Sequence, residues 1–306
     1  MEDFWPSTKL ERIHELVSDL RLPPHGIALD YGCGDGVFTD ALRRTLPGWR
    51  IYGTDVSDIA LEKAATRFPE CSFLSLERTD DLAGRVDFLF THHVLEHVFD
   101  LDRTLGDALR VVAATGTVMH VLPCGNAGSL EHRLCREQRD GRDPSAGNRF
   151  FFEGGSEGHV RRLDTEGLAD AMAPHGFELA RARYACHYFG ALQWMTECDI
   201  SYIRGLTRLS TARSARARLR LAWIRVGLLA LRAARYPSLV YPKIGRLRNR
   251  VLRSVIRVAG YAPYRLSLFV DRWLDDRCRA EWAERQEDPA GSEMYLFFQR
   301  APTFRL

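Results

Sequence analysis

Over the first two hundred positions, apolar residues alternate between short continuous runs and stretches with apolar residues three and four apart. The first pattern marks buried strands and the second marks amphipathic helices. Leu10, Ile13, Leu16, Val17 and Leu20 form one stripe, and Thr8-Lys9-Leu10-Glu11 matches a capping box. This predicts a helix from about Thr8 to Leu20, ended by Pro23-Pro24. Strands follow at Ile27–Tyr31, Ile51–Thr54, Ser72–Leu76, Val86–Thr91, Gly116–Leu122, Phe177–Tyr184 and Glu293–Gln299. Helices at Val37–Thr45, Asp58–Arg67, Leu101–Val112 and Thr165–Pro174 separate them. Such alternation predicts an α/β fold: a doubly wound, mostly parallel seven-stranded sheet with helices on both faces. Gly125–His159 breaks the rhythm with Gly-Asn, Asp-Gly and Asp-Pro steps and reads as loop. About a hundred residues also separate the sixth and seventh strands. The expected organisation is therefore one domain made of residues 1–186 and 291–306, with 187–290 as a helical insertion.

Charge sharpens that division. The 306 residues carry a net charge of +3, yet 201–270 contains no Asp or Glu and holds fifteen Arg and one Lys. That segment's +16 leaves −13 on the remainder, so the insertion is a cationic element attached to an acidic domain. Seven scattered cysteines without a CxxC pair argue against a disulfide framework, and no metal site is expected. The N-terminal residues lack the basic and apolar regions of a secretory signal, which points to a reducing cytoplasm.

The candidate chemistry sits at the end of the first strand, in Ala28-Leu-Asp-Tyr-Gly-Cys-Gly-Asp-Gly36. Alternating glycines let the backbone approach a ligand closely, and the following helix start offers N–H groups. Asp55, about twenty residues on at the end of the second strand, is placed to accept both hydroxyls of a ribose. A nicotinamide dinucleotide would require Gly at position 37, where Val stands, and Asp30 beside the loop would repel a pyrophosphate. An acid there suits a ligand with an amino group and a positive sulfonium.

These residues resemble class I methyltransferases of the small-molecule type. Leu29–Gly36 is similar to that family's first motif and Tyr52-Gly-Thr-Asp-Val56 to its second. Asp87-Phe-Leu-Phe-Thr-His-His-Val-Leu-Glu-His97 resembles the strand-four segment of the subfamily that includes quinone-biosynthetic and many natural-product enzymes. Gly158-His-Val-Arg-Arg-Leu163, followed by a helix and His-Gly-Phe177, is similar to the same subfamily. The resemblance implies S-adenosylmethionine as cofactor. Asp30, Tyr31, Gly32, Gly34 and Gly36 would shape the methionine pocket, with Asp55 on the ribose and Val56 on the adenine. Thr91 and His92 would lie near the methionine end. Two segments depart from the family. Phe73-Leu-Ser-Leu-Glu77 leaves the adenine-binding acid unassigned, and Ala113-Ala-Thr-Gly116 replaces the usual Lys-Pro-Gly-Gly turn.

Methyl transfer needs a base only for a hydroxyl or protonated amine acceptor. His93 and His159 are the candidate catalytic residues, and His159 and Arg161 the candidate acceptor contacts. Residues 92–97 are expected to open a helix. The resulting expectation is methylation of oxygen or nitrogen on a small-molecule or lipid-like acceptor. An RNA methyltransferase using the basic insertion and a non-catalytic cofactor-binding scaffold are the alternatives. Nucleic acid is disfavoured because the end of strand four lacks the Asn/Asp-Pro-Pro-aromatic pattern of adenine-amine methylation and no RNA-binding module is readable. Within the insertion, Arg246, Arg250, Arg253 and Arg257 fall on one helical face and Leu247, Val251, Val255 and Ile256 toward another. Three roles stay open for it: a cap over the acceptor, adsorption to an anionic membrane surface, or nucleic-acid binding.

Overall fold

The computed structural model describes residues 7–139, 159–246 and 249–302. The chain divides into two compact units. The first comprises Met1–Asn126, His159–Tyr184 and Glu293–Leu306, and the second Ala127–Gly158 and Ala185–Ser292.

The first unit holds a single sheet of seven strands: β1 (Ile27–Tyr31), β2 (Arg50–Asp55), β3 (Ser72–Ser75), β4 (Val86–His92), β5 (Val112–Pro123), β6 (Phe177–Ala185) and β7 (Glu293–Arg300). Their spatial order is β3-β2-β1-β4-β5-β7-β6. β1 pairs in parallel with β2 and β4, β2 with β3, and β4 with β5, while β7 runs antiparallel to β5. The sheet is flanked by α1 (Ser7–Ser18), α2 (Val37–Thr45), α3 (Asp58–Arg67), α4 (Leu101–Leu109) and, beyond the second unit's α5 (Leu130–Arg136), by α6 (Thr165–Met172). Strand order reverses between β1 and β4. In such sheets ligands bind at the carboxyl ends of the strands flanking that reversal. The strands read as continuous apolar runs because both faces are covered: all five residues of β1 are buried, and Phe88, Leu89 and Phe90 of β4 are fully enclosed.

Three local expectations need correction. Thr8 is not a helix cap: α1 already includes Ser7, and Thr8 is buried inside its first turn. The helix expected over Leu101–Val112 stops at Leu109, and β5 starts at Val112 rather than Gly116. Val111 and Val112 are β-branched and buried, and the Val86 N–H donates to the Val111 carbonyl (2.9 Å), so sheet pairing overrides the helical pattern. His92 still belongs to β4 and residues 93–97 form a turn, so 92–97 do not open a helix. The His93 N–H donates to the Val121 carbonyl (2.9 Å), which carries sheet bonding one residue past β4. His93 then turns the chain with φ +53°.

The second unit is helical. It contains α5, within the stretch expected as loop, then α7 (Phe189–Glu197), α8 (Ile200–Leu206), α9 (Ala215–Val240), α10 (Arg250–Ala259) and α11 (Tyr261–Arg285). Residues 140–158 of that expected loop lie outside the described residues. Leu134, Ala191, Met195, Ile203, Leu221 and Leu228 pack in its core. Arg235 of α9 is buried there because it is fully paired: it meets Glu197 (2.9 Å) and Asp271 (2.6 Å) and donates to the Gln193 carbonyl (2.9 Å). Glu281 of α11 accepts from the Tyr188, Phe189 and Gly190 N–H groups (2.7, 3.0 and 3.1 Å), serving α7 as a borrowed N-terminal cap.

Candidate cofactor and acceptor site

The loop after β1 is built for close approach. Gly32, Gly34 and Gly36 all take positive φ (81°, 53° and 82°), a region that a side chain makes costly. A Cβ on Gly32 would lie 2.3 Å from Val94, whereas one on Gly34 would meet nothing within 4 Å. The loop is thus packed on one side and open at Gly34. The N–H groups of Gly32 and Cys33 both donate to the Thr54 carbonyl (2.8 Å each), that of Gly36 to the Cys33 carbonyl (3.0 Å), and that of Gly34 to Asp55 Oδ2 (2.9 Å). These four donors hold the loop against β2 and leave the N–H groups of the following helix start for a ligand.

Two acids frame this loop. Asp55 accepts from Gly34 N–H through Oδ2 and from Ser57 N–H (2.9 Å) through Oδ1, one bond per oxygen, which leaves lone pairs for a pair of hydroxyls. Asp30 is buried and accepts from Thr39 Oγ1 (2.7 Å). Burial pushes its pKa up to about 7, with the Asp55 charge adding to the rise. Among the described residues Asp30 makes no salt bridge, so a cationic ligand group is what would hold it ionised. The donor set fits S-adenosylmethionine: an enclosed acid for the positive methionine end, an open glycine turn, and a carboxylate at the end of the neighbouring strand for the ribose. Val56, next to Asp55, is 86% exposed and available to a flat ring.

Other expected residues are engaged within the protein. The Tyr31 ring lies in the apolar core, leaving its backbone to the loop. Thr91 is buried and bonded to His120 Nδ1 (2.7 Å). His92 packs against Phe38 (ring centroids 4.0 Å apart, planes tilted by 30°), and burial holds its pKa well below the usual histidine range.

Beside them lies a buried ionic network that no local motif announces. Glu293, the first residue of β7, is paired with Lys9 and Arg12 of α1 (Arg12 at 3.7 Å) and with the Tyr295 hydroxyl. Lys9 Nζ also stands 3.3 Å from His92 Nε2 and 3.5 Å from His93 Nε2. His93 continues the chain, Nε2 toward Glu293 (3.4 Å) and Nδ1 on Glu96 (2.8 Å). Burial disfavours a charged His93, but Glu96 and Glu293 outweigh it and raise its pKa. Glu96 lies 4.0 Å from His97, whose ring meets that of His159 edge-on (centroids 4.7 Å apart). The Val160 N–H donates to the Glu96 carbonyl (2.8 Å), fastening the 159–163 segment to the turn after β4. Burial lowers the His159 pKa to about 4. Arg161 donates to the Phe99 carbonyl (2.8 Å), and burial lowers its pKa as well.

His92, His93 and Glu293 bring ligand-type atoms within 4.8 Å, as do Glu96, His97 and His159. In the first group the Lys9 ammonium already supplies the cation. The sequence held a faint signal for this network. Lys9 and Arg12 sit on the stripe of Ile13 and Leu16, and Glu293 stands directly before the apolar run 294–298, so each is a charge where a hydrophobe was due.

Residues 6–182 match the family model described as a methyltransferase domain. Trans-aconitate 2-methyltransferase of Enterobacter sp. (strain 638) is 31% identical over 124 residues, 40% of this chain and 49% of that protein. The protein of the same name from Methylobacterium radiotolerans is 28% identical over 182 residues, 57% of this chain and 66% of that one. The chain thus spans between about half and two thirds of the length of these curated relatives. Among solved structures, the [4+2]-cyclase SpnF aligns with TM-score 0.51 at 15% identity, over 95% of this chain and 81% of its own. A putative sarcosine dimethylglycine methyltransferase from Galdieria sulphuraria aligns with TM-score 0.50 at 9% identity, over 96% and 85%. Both show the fold alone. With the acid–glycine loop at the reversal of strand order and the family match spanning β1 to β6, the chain belongs to the methyltransferase-domain family, as a class I member whose cofactor is S-adenosylmethionine.

Proposed function

We propose that this protein moves the methyl group of S-adenosylmethionine to an oxygen or nitrogen of a small-molecule or lipid-like acceptor. The observation that carries the reading is the pairing of the Asp30–Gly36 loop with a histidine-rich turn after β4, side by side at the strand reversal. The trans-aconitate relatives support a small-molecule acceptor.

When bound, the cofactor supplies a methyl group already activated on a positive sulfur, so alignment is most of the remaining task. Asp30 and the glycine turn hold the methionine end, and Asp55 fixes the ribose. The two candidate bases divide by environment. His93 has both ring nitrogens engaged, Nδ1 with Glu96 and Nε2 toward Glu293 and Lys9, which makes it a positioning residue. His159, neutral at pH 7, can take the proton released by a hydroxyl or ammonium acceptor, and Glu96 nearby favours the imidazolium formed. Arg161 is the candidate contact for an acidic group on the acceptor.

Calorimetric titration with S-adenosylhomocysteine tests the cofactor half. Asp55→Ala is expected to weaken binding at least about tenfold, roughly 1.4 kcal/mol. No binding to the wild-type chain would remove the main support. His159→Ala is expected to lower turnover about a hundredfold with cofactor affinity unchanged. Unaltered turnover would exclude His159 as the base.

A further inference from the structure

Among the described residues, sixteen large hydrophobic side chains are exposed, and twelve of them fall between Ile200 and Trp273. Nearly the same stretch is the one without an Asp or Glu. Scattered exposed hydrophobes are ordinary, but these recur at helical spacing. On α9, Leu219 (65% exposed), Trp223 (76%) and Val226 (60%) stand at i, i+4 and i+7. On α10, Val251, Val255 and Val258 repeat the spacing, and on α11 so do Leu266, Phe269 and Trp273, at i, i+3 and i+7. Each of three helices in one unit therefore shows solvent an apolar stripe.

The cations around the stripes are arranged to meet something outside. Arg216, Arg218, Arg250, Arg257 and Arg265 are exposed, and among the described residues they form no salt bridge. Between α8 and α9 lies an open depression lined by Ser201, Arg204, Arg208, Ser210 and Arg225. Arg225 is fixed in place by donating to Thr207 Oγ1 (2.9 Å) and the Arg204 carbonyl (3.3 Å). Three arginines and two hydroxyls in one hollow, with no acid in the segment, suit a phosphate.

Three partners could cover such a surface, and the side chains choose between them. Nucleic acid would take up the arginines but leave the Leu and Val stripes in water. A second copy docked on the same face would set one +16 segment against another. A lipid surface satisfies both, since phosphates meet the arginines while Trp, Leu, Val and Phe enter the headgroup–acyl boundary. No helix among the described residues is long and apolar enough to cross a membrane, so the contact is lateral. We propose that α9, α10 and α11 form a docking surface for membranes containing anionic lipid, with the Arg204–Arg208–Arg225 hollow receiving a lipid phosphate. The docking surface stands apart from the chemistry of the methyl-transfer reading above.

Flotation of the full chain with vesicles tests it. Phosphatidylcholine with about 30 mol% phosphatidylglycerol is expected to bind at least about tenfold more protein than phosphatidylcholine alone, and high salt should reverse the gain. Leu219→Glu with Trp223→Glu, and separately Arg204→Glu with Arg208→Glu, should each lower binding about tenfold. S-adenosylhomocysteine affinity of the same samples shows that the variants are folded. Equal binding to the two vesicle types, no binding at low salt, or variants that bind like wild type would overturn the proposal. So would a dimer that the same substitutions dissociate, or RNA binding in the absence of vesicle binding. A wild-type chain that binds cofactor but no vesicles refutes only this surface. Vesicle binding without cofactor binding refutes only the methyl-transfer reading.

Discussion

The two units treat charge in opposite ways. The first buries it: Lys9, Arg12, His92, Glu96 and Glu293 are all under 9% exposed, and each is specified by a partner a few ångströms away. The second unit anchors some arginines, such as Arg232 and Arg235, and leaves others, among them Arg216, Arg218, Arg250, Arg257 and Arg265, exposed on helices that carry apolar stripes. Buried charges cost several kcal/mol each unless paired, so they fix geometry residue by residue. Exposed charges act as a field and tolerate rearrangement. Pairing of the first kind fixes side chains in place, whereas exposed arginines beside apolar stripes are what the proposed docking surface would use.

The sharpest way to break this contrast is at Glu293. Glu293→Gln keeps the shape but leaves Lys9, Arg12 and His93 facing a neutral group in a closed site. A loss of about 3–5 kcal/mol is expected from urea unfolding. Lys9→Met with Glu293→Leu should recover part of it, because the pair is removed together. A loss under about 1 kcal/mol for the single change would mean that water reaches the network and that it fixes nothing.

Asp30 gives the next effect, read through pH. Folded Asp30 keeps its proton to about pH 7, while the unfolded chain releases it near the ordinary value of 3.8. Between these values the native state binds the extra proton, so stability falls as pH rises from about 4 to about 7. The fall is at most about 4 kcal/mol and persists above that window. Asp30→Asn should flatten it, as measured by denaturant midpoints across that range. The same substitution should weaken S-adenosylmethionine more than the uncharged-sulfur product, because only the former places a sulfonium near the acid. Equal weakening would move the sulfonium away from Asp30.

What was legible in the sequence follows from how local each feature is. β1, the glycine turn and Asp55 could be read because a strand, a tight turn and a helix start succeed one another within a few residues. The start of β5 at Val112 could not, since its pairing with Val86 is a tertiary fact that competes with a good helical pattern. Tyr31 was placed at the ligand by its neighbours, yet its ring follows strand alternation into the core. The ionic network was hidden for the strongest reason: Lys9 and Glu293 lie at opposite ends of the chain, and only closure of β7 against β5 joins them. The surface of the second unit was half visible, because spacing gives the stripes but not which of them stay uncovered.

The smallest expected effect is the most telling about that second unit. Trp223→Glu replaces one of the largest side chains with a charge, and at a core position such as Phe90, wholly buried, the same change would unfold the first unit. At 76% exposure Trp223 has little packing to lose, and glutamate is a good helix former beside Arg216 and Arg220. Stability should stay within about 0.5 kcal/mol of wild type in the same urea titration. A loss of 2 kcal/mol or more would be of the order of a core truncation and would show that the Trp223 stripe is part of a folded interior. An unchanged midpoint together with lost vesicle flotation would establish that a tryptophan dispensable to the fold is retained for a partner outside it.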